Sequence, residues 1–346
     1  MKKVFLHIGY PKTGTSSIQF ALNQNVEALI DIGVCYPHTG KISWNGAHHL
    51  LTNSINELAD FDKPGVRQLF VQLRAEIERS PCGLVILSSE DFVRLFMHVS
   101  GALGRFSEWF SNYDYRFVCF LRNTSSFLES MYFLKLTAFL RGKLLCKINT
   151  LDMEIAASHK RPAQHLAFVT EVLNKPVRDK FVFLPYVPNK DSLKVFFEGI
   201  DLHEALDIPG ITNERKSNVR LNRDIMSVAY LISIHKNWQE VQLLLIENEK
   251  KLLARSTPDG SGLFIFDNEQ RKHFSRKTLG IFEAVEEAFS VDLSLIKEVE
   301  STESDANFLV TLEYSQDFLS LVNDIFLPSG FNLEHQLANA RGNLQG

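Results

Sequence analysis

An α/β fold with a mainly parallel sheet flanked by helices is the fold class this sequence predicts, and three observations carry it. Short apolar runs alternate with helically spaced ones over about the first 200 residues, the pattern of strands joined by crossover helices. The apolar runs are continuous rather than alternating, as strands buried on both faces require. Each run ends in polar residues: "GYPKTGTSS", "SSED", "RNTSS" and "PYVPNK". Ligands of parallel sheets bind beyond the carboxyl ends of the strands, so these four endings are expected to converge.

The elements follow in order. "KVFLHIG" (3–9) reads as the first strand. In "GTSSIQFALNQNVEALIDIG" (14–33), Ile18, Leu22, Val26, Leu29 and Ile30 keep helical spacing and Gly33 is a natural stop, so one helix is expected. "PHTGKISWNGAHH" (37–49) lacks periodicity and reads as a loop. "LFVQLRAEIER" (69–79) reads as a helix. "GLVILSSED" (83–91) and "YRFVCFLRN" (115–123) read as buried strands, and "TSSFLESMYFLKLTAFLRG" (124–142) as the next helix. "DKFVFLPYVPNKDSLKVFFEGI" (179–200) repeats strand, turn and helix. Past residue 220 the signal is helical, over 224–254, 279–289 and 314–326, with a loop at 255–262. The final dozen residues are polar and expected to fray. The expected division is an α/β core over 1–220 and a helical C-terminal part over 221–346 packed on it.

Composition narrows the function classes. The chain has 346 residues, 45% of them hydrophobic and 23% charged, enough for a packed core. The net charge is −4, from 37 basic and 41 acidic side chains, with no long Lys/Arg run. That argues against a nucleic-acid partner, so any anion site has to be local. Cys35, Cys82, Cys119 and Cys146 are widely spaced without a C-x-x-C pair, so no metal site is expected and the usage suits a reducing compartment. Cys119 lies in an apolar run and reads as a small buried hydrophobe. No apolar stretch nears the ~20 residues of a membrane span. The three apolar residues before His7 are too few for a signal peptide. A cytoplasmic protein without a membrane partner is expected, and homo-oligomerisation stays open.

The stretch "HIGYPKTGTSSIQ" (7–19) carries the first chemical signal. It follows a strand and opens a helix, where unpaired backbone N–H groups favour an anion. Gly9 and Gly14 permit tight turns, Thr13, Thr15, Ser16 and Ser17 add hydroxyls, and Lys12 adds a charge. The ordinary alternative is that Thr15 or Ser16 merely caps a surface helix while Lys12 is solvated. The usual triphosphate loop places its lysine after the last glycine, whereas here Lys12 precedes Gly14.

"PKTGTSSIQ" resembles the 5′-phosphosulfate loop of sulfotransferases that use 3′-phosphoadenosine 5′-phosphosulfate (PAPS). A second stretch strengthens the likeness. "FLRNTSSFLESMY" (120–132) is similar to that family's 3′-phosphate site, an arginine at a strand end with a serine eight residues on, here Arg122 and Ser130. Many relatives carry a proline near Asn123 or Thr124, and this sequence has none. The resemblance covers about residues 1–220 and implies a P-loop-type sheet. It implies a cofactor-binding set of Pro11, Lys12, Thr13, Gly14, Thr15, Ser16, Ser17, Arg122 and Ser130. PAPS is then the co-substrate, no metal is obligatory, and Lys12 neutralises charge on the bridging oxygen as the sulfuryl group leaves. "RKS" (215–217) is loosely similar to a later basic segment of the family, which adds Arg215 and Lys216, although a solvated basic helix start accounts for them equally.

Transfer to a hydroxyl needs a base. Glu90, with Asp91 behind it, follows the strand 83–89, and "LSSEDF" looks like a strand-end element of bacterial carbohydrate sulfotransferases. The plainer alternative is that Glu90 caps the next helix by its charge. His48 and His49 in "GAHHL" are the other candidates, since histidine titrates near neutrality, against a plainer role as loop histidines. Lys135 and Arg141 could meet an anionic glycan or be ordinary surface charges. The resemblance implies a glycan or other hydroxyl-bearing small-molecule acceptor. Two alternatives stand beside it: an ATP-dependent P-loop kinase, which "SSED" keeps open, and a non-catalytic protein that binds adenosine 3′,5′-bisphosphate.

Overall fold

The computed structural model describes residues 1–42, 46–56, 61–144, 148–160, 162–188, 190–211, 223–256, 265–297 and 314–345. Five strands form one sheet: β1 (Lys3–Gly9), β2 (Val34–Cys35), β3 (Leu84–Ser88), β4 (Asp114–Arg122) and β5 (Phe181–Tyr186). Their order is β2-β3-β1-β4-β5, and every pair is parallel. The expected α/β fold with a parallel sheet and C-terminal helices is therefore what the chain adopts. β1 is central, with β3 and β4 on either side of it. The chain leaves β1 toward one edge, returns, and fills the other, so a crevice opens at the carboxyl end of β1.

The helices named below are α1 (Thr15–Gln24), α2 (Val26–Asp31), α3 (Leu50–Asn56), α4 (Pro64–Arg79), α5 (Asp91–His98), α6 (Ala102–Trp109) and α7 (Thr124–Leu140). They continue with α8 (Leu151–Lys160), α9 (Ala167–Leu173), α10 (Ser192–Gly199), α11 (Arg223–Ile234), α12 (Trp238–Arg255), α13 (Asn268–Phe289) and α14 (Ser294–Lys297). The single helix expected over 14–33 is in fact two. Asn25 leaves helical dihedrals (φ −114, ψ 28) while its side-chain amide donates to the Ala21 carbonyl at 2.8 Å. That side-chain bond competes with the helix ladder. The expected helix 224–254 likewise breaks, between α11 and α12, where His235 Nδ1 accepts from the Asn237 backbone N–H at 3.3 Å. Where a frayed end is expected, the described residues are helical. They form a helix, Leu333–Gln345, because Leu333, Leu337 and Ala340 recur at helical spacing and are buried.

The chain divides into two compact units, and they are not consecutive halves. The first comprises Met1–Asn123, Gln164–Ser217 and Leu279–Glu298, and the second Thr124–Ala163, Asn218–Thr278 and Val299–Gly346. The division expected at residue 220 thus misses two exchanges: 124–163 joins the helical unit and 279–298 joins the sheet unit.

In the first unit, one face of the sheet (Phe5, Ile86, Val118, Phe120, Leu184) packs on Ile18 and Leu22 of α1 and on Phe196 and Phe197 of α10. On Phe117 and Phe181 lies an aromatic layer. Phe96 of α5 sits 5.5 Å from Phe117, and Phe168 of α9 sits 5.8 Å from Phe181. Each fully buried phenylalanine contributes about 2–3 kcal/mol by transfer alone, and such ring pairs add roughly 1 kcal/mol. Cys119 is fully buried in β4, as expected.

In the second unit, α7, α11 and α12 share a core of Tyr132, Leu136, Phe139, Ile225, Leu231, Val241 and Leu245, completed by Phe318, Val322 and Phe326. Inside it lies an ion pair with both side chains almost fully buried, Glu129 at 2% and Arg271 at 1% exposure. Glu129 Oε1 accepts from Arg271 Nη2 at 2.5 Å and from the backbone N–H groups of Ile265 and Phe266 at 3.1 and 3.3 Å. No described helix is long and apolar enough to cross a membrane. Removing Arg271 would leave a buried carboxylate uncompensated. Arg271→Met should therefore lower unfolding free energy by about 3–5 kcal/mol, and adding Glu129→Gln should recover part of that loss. Guanidinium unfolding of the two variants checks both.

Candidate functional site

The site begins where β1 ends. Its pairing with β4 slips between His7 and Gly9, a bulge that turns the chain out of the sheet. Gly9 (φ 80), Lys12 (φ 66) and Gly14 (φ 80) then take left-handed conformations. The glycines do so freely, whereas Lys12 carries about 1–2 kcal/mol of strain. Neighbours hold it there. Arg122 Nη1 donates to the Lys12 carbonyl at 2.7 Å, and Thr13 Oγ1 donates to the Tyr10 carbonyl at 2.5 Å. Space also demands glycine. A Cβ at Gly9 would come 2.8 Å from Glu90 Cβ, and one at Gly14 would fall on Ser192 Oγ at the start of α10.

α1 opens directly from this loop with Gly14 as its N-cap, no side-chain cap and no acid in its first turn. Neither Thr15 nor Ser16 plays the ordinary capping role. A helix start with neither a side-chain cap nor an acid in its first turn favours an anion. Thr13 and Thr15 are buried under the turn, while Pro11, Lys12, Gly14, Ser16 and Ser17 are half-buried along it.

Arg122 ends β4 and is only 7% exposed. Its guanidinium lies 5.1 Å from the Tyr186 ring centroid at the end of β5, a cation–π contact. Three strand endings therefore meet here: the β1 loop, Arg122 and Tyr186. Ser130 is half-buried on α7, in the second unit, whereas Arg122 belongs to the first. Arg215 and Lys216 lie outside the described residues. Lys135 forms an ion pair with Glu154 of α8 at 3.0 Å.

The fourth strand ending, after β3, brings a carboxylate to the loop. Glu90 occupies the N-cap position of α5, yet its side chain makes no capping bond. Instead Glu90 Oε2 accepts from Gln19 Nε2 of α1 at 2.7 Å. His49 Nε2 lies 3.9 Å from the same oxygen. On its other side, His49 Nδ1 is 3.0 Å from Asp91 Oδ2 and 2.8 Å from Ser89 Oγ. Burial alone pushes the His49 ring toward neutrality. The Asp91 hydrogen bond, with the Glu90 and Asp91 charges, outweighs it and raises the pKa above the ordinary 6.5. Bonded to His49, and despite the opposing effect of burial, Asp91 is held below the usual carboxylate range.

The neighbouring His48 is withdrawn from the candidate bases by its own bonds. It is fully buried, Nε2 donates to the Pro37 carbonyl at 2.9 Å, and Nδ1 accepts from the Ser88 backbone N–H at 3.1 Å. Both nitrogens are engaged in fastening its loop to β3, and burial first of all holds its pKa down to about 3. His7 of β1, at the head of the loop stretch, is equally buried. It bonds Ser88 Oγ through Nδ1 at 2.7 Å, packs between Phe120 and Phe196, and is held to about 3 by burial. Two concavities of about 500 and 390 Å³ beside Phe61 and Arg105 share no residue with this site.

Comparison with protein-family models, with curated proteins and with solved structures returned no match.

Two expectations follow from this geometry. Gly14→Ala should cost about 2 kcal/mol or more in unfolding free energy, through the left-handed backbone and the collision with Ser192; chemical denaturation checks it. The second concerns pH. His7 and His48 are neutral in the fold but titrate near 6.5 when unfolded. Their contribution is present above pH 6.5 and is lost as pH falls from there toward 3. Each adds a slope of up to ~1.4 kcal/mol per pH unit, so His48→Gln should flatten the acid limb of a stability–pH curve by about one proton.

Proposed function

We propose that this chain is a PAPS-dependent sulfotransferase acting on a hydroxyl of a carbohydrate. The observation that carries the reading is the loop itself: an uncapped helix N-terminus, preceded by a lysine inside the turn and faced across Gly9 by Glu90. An anion cradle and a carboxylate on adjacent strand ends are what sulfuryl transfer from a phosphosulfate to a hydroxyl uses. The first-turn N–H groups and the hydroxyls of Thr15, Ser16 and Ser17 would hold the 5′ arm, while Thr13, whose hydroxyl donates to the Tyr10 carbonyl, shapes the turn. Arg122 and, by the spacing of its motif, Ser130 would take the 3′-phosphate, with the guanidinium also tethering the loop. Arg215 and Lys216 remain candidates for that phosphate by motif alone.

The reaction is an in-line displacement. The acceptor oxygen forms a bond to sulfur as the bond from sulfur to the 5′-phosphate oxygen breaks. The electron pair leaves on that oxygen, which Lys12 stabilises, and the acceptor proton passes to Glu90. The products are a sulfate ester and adenosine 3′,5′-bisphosphate. The placement of Lys12 before Gly14 supports a single phosphosulfate arm over a triphosphate.

Thermal unfolding with ligand tests the reading. Adenosine 3′,5′-bisphosphate at 100 times its Kd should add about 2.7 kcal/mol of stability, and Arg122→Ala should abolish that shift. Stabilisation by magnesium–ATP in its place would establish the kinase alternative. With labelled PAPS and a glycan panel, Lys12→Ala should lose roughly 10²–10³-fold in rate while keeping its fold. Tight bisphosphate binding with no transfer from the wild type would establish a binding protein.

A further inference from the structure

Glu90 is held from two sides by groups with no part in the anion cradle. Gln19, fully buried on the first helical turns behind the loop, donates to Oε2 at 2.7 Å. His49 approaches the same oxygen at 3.9 Å, and its ring is 8% exposed. That ring is itself fixed: Nδ1 faces Asp91 Oδ2 at 3.0 Å and Ser89 Oγ at 2.8 Å, so Nε2 is the nitrogen turned to Glu90. Ser89 is anchored in turn, since its N–H donates to the His7 carbonyl at 3.0 Å. The backbone of Glu90 is pinned against Gly9, where even a methyl group would collide.

We infer that Asp91, His49 and Gln19 form a positioning relay that aims the Glu90 carboxylate at the acceptor hydroxyl, with His49 acting through Glu90 rather than as the base. This rests on the sulfotransferase reading of the loop. Three features of the geometry separate the two histidine roles. His49 is nearly buried at 8%, whereas the Glu90 side chain keeps 24% exposure and is the more open of the two candidate bases. An imidazole whose Nδ1–H is bound to a carboxylate presents Nε2 in one fixed direction, and that direction ends on Glu90. The charged groups that act on His49 are Glu90 and Asp91, with Arg94 acting on Asp91. Two carboxylates against one ring favour the imidazolium, which cannot accept a proton and is therefore unsuited to act as the base. Gln19 supplies a neutral donor to the same oxygen, which keeps the carboxylate from rotating away when its other oxygen meets substrate.

The relay predicts non-additivity. In PAPS turnover, with a glycan acceptor or with water, His49→Gln should lower kcat about tenfold or more and leave the KM for PAPS within about twofold. In a Glu90→Gln background the same change should cost nothing further, because its target is gone. Asp91→Asn should act in the same direction and bring the His49 titration, followed by NMR of the imidazole, below its wild-type midpoint. Asp91→Glu, which keeps the charge, should restore part of both. Adenosine 3′,5′-bisphosphate binding should be unchanged in all four variants, since none of these residues belongs to the nucleotide cradle. Additive losses for His49→Gln and Glu90→Gln, or a His49 midpoint that ignores Asp91→Asn, overturn the relay; where turnover is below detection, the titration alone decides. Failure of the wild type to bind the bisphosphate overturns the sulfotransferase reading instead.

Discussion

The hydrogen bond from Arg122 to the Lys12 carbonyl organises the sheet unit around its loop. A lysine in a left-handed conformation would relax if its peptide were not held. The donor holding it sits at the end of the adjacent strand and is itself braced on Tyr186 of the next. Loop shape is thus set by the register of three parallel strands, β1, β4 and β5, together with the loop's own glycines. The register in turn rests on the phenylalanine layers packed on the sheet. A charged donor buried at 7% exposure makes the tether stronger than a neutral bond would be.

The opposite side of the loop is fixed by crowding. Glu90 and Ser192 occupy the volumes that side chains at positions 9 and 14 would need. The loop is therefore crowded by the start of α5 on one side and by the Ser192 side chain of α10 on the other. The result sets an electropositive helix end and a held carboxylate at the endings of two neighbouring strands, β1 and β3.

Much of this is legible in the chain because it is local. β1 can be read residue for residue, and β3, β4 and β5 to within a few residues, since a continuous apolar run with a polar end is the mark of a strand buried on both faces. The loop is legible for the same reason: glycine, lysine and hydroxyls lie within nine residues. What escapes depends on partners far away in sequence. Asn25 splitting a helix, two-residue β2, and the reach of Gln19 to Glu90 across 71 positions leave no periodic trace. His48 and His49 look alike as neighbours in the sequence, and only the third dimension sends one to a carbonyl and the other to a pair of carboxylates. The interleaving of the two units is hidden too, because a helical stretch does not announce which core its apolar face joins. The buried Glu129–Arg271 pair, 142 residues apart, belongs to the same class.

The contact between Gly9 and Glu90 also bears on how this sequence can change over time. A side chain at position 9 is barred by the Cβ and Cα of Glu90, so a substitution at 9 survives only if the start of α5 moves outward. Such a movement would take the carboxylate with it. The lock lies in the Cβ and Cα of residue 90, which every residue but glycine shares, and in the left-handed backbone at 9, so the glycine should persist even in a lineage where the acid at 90 has been exchanged.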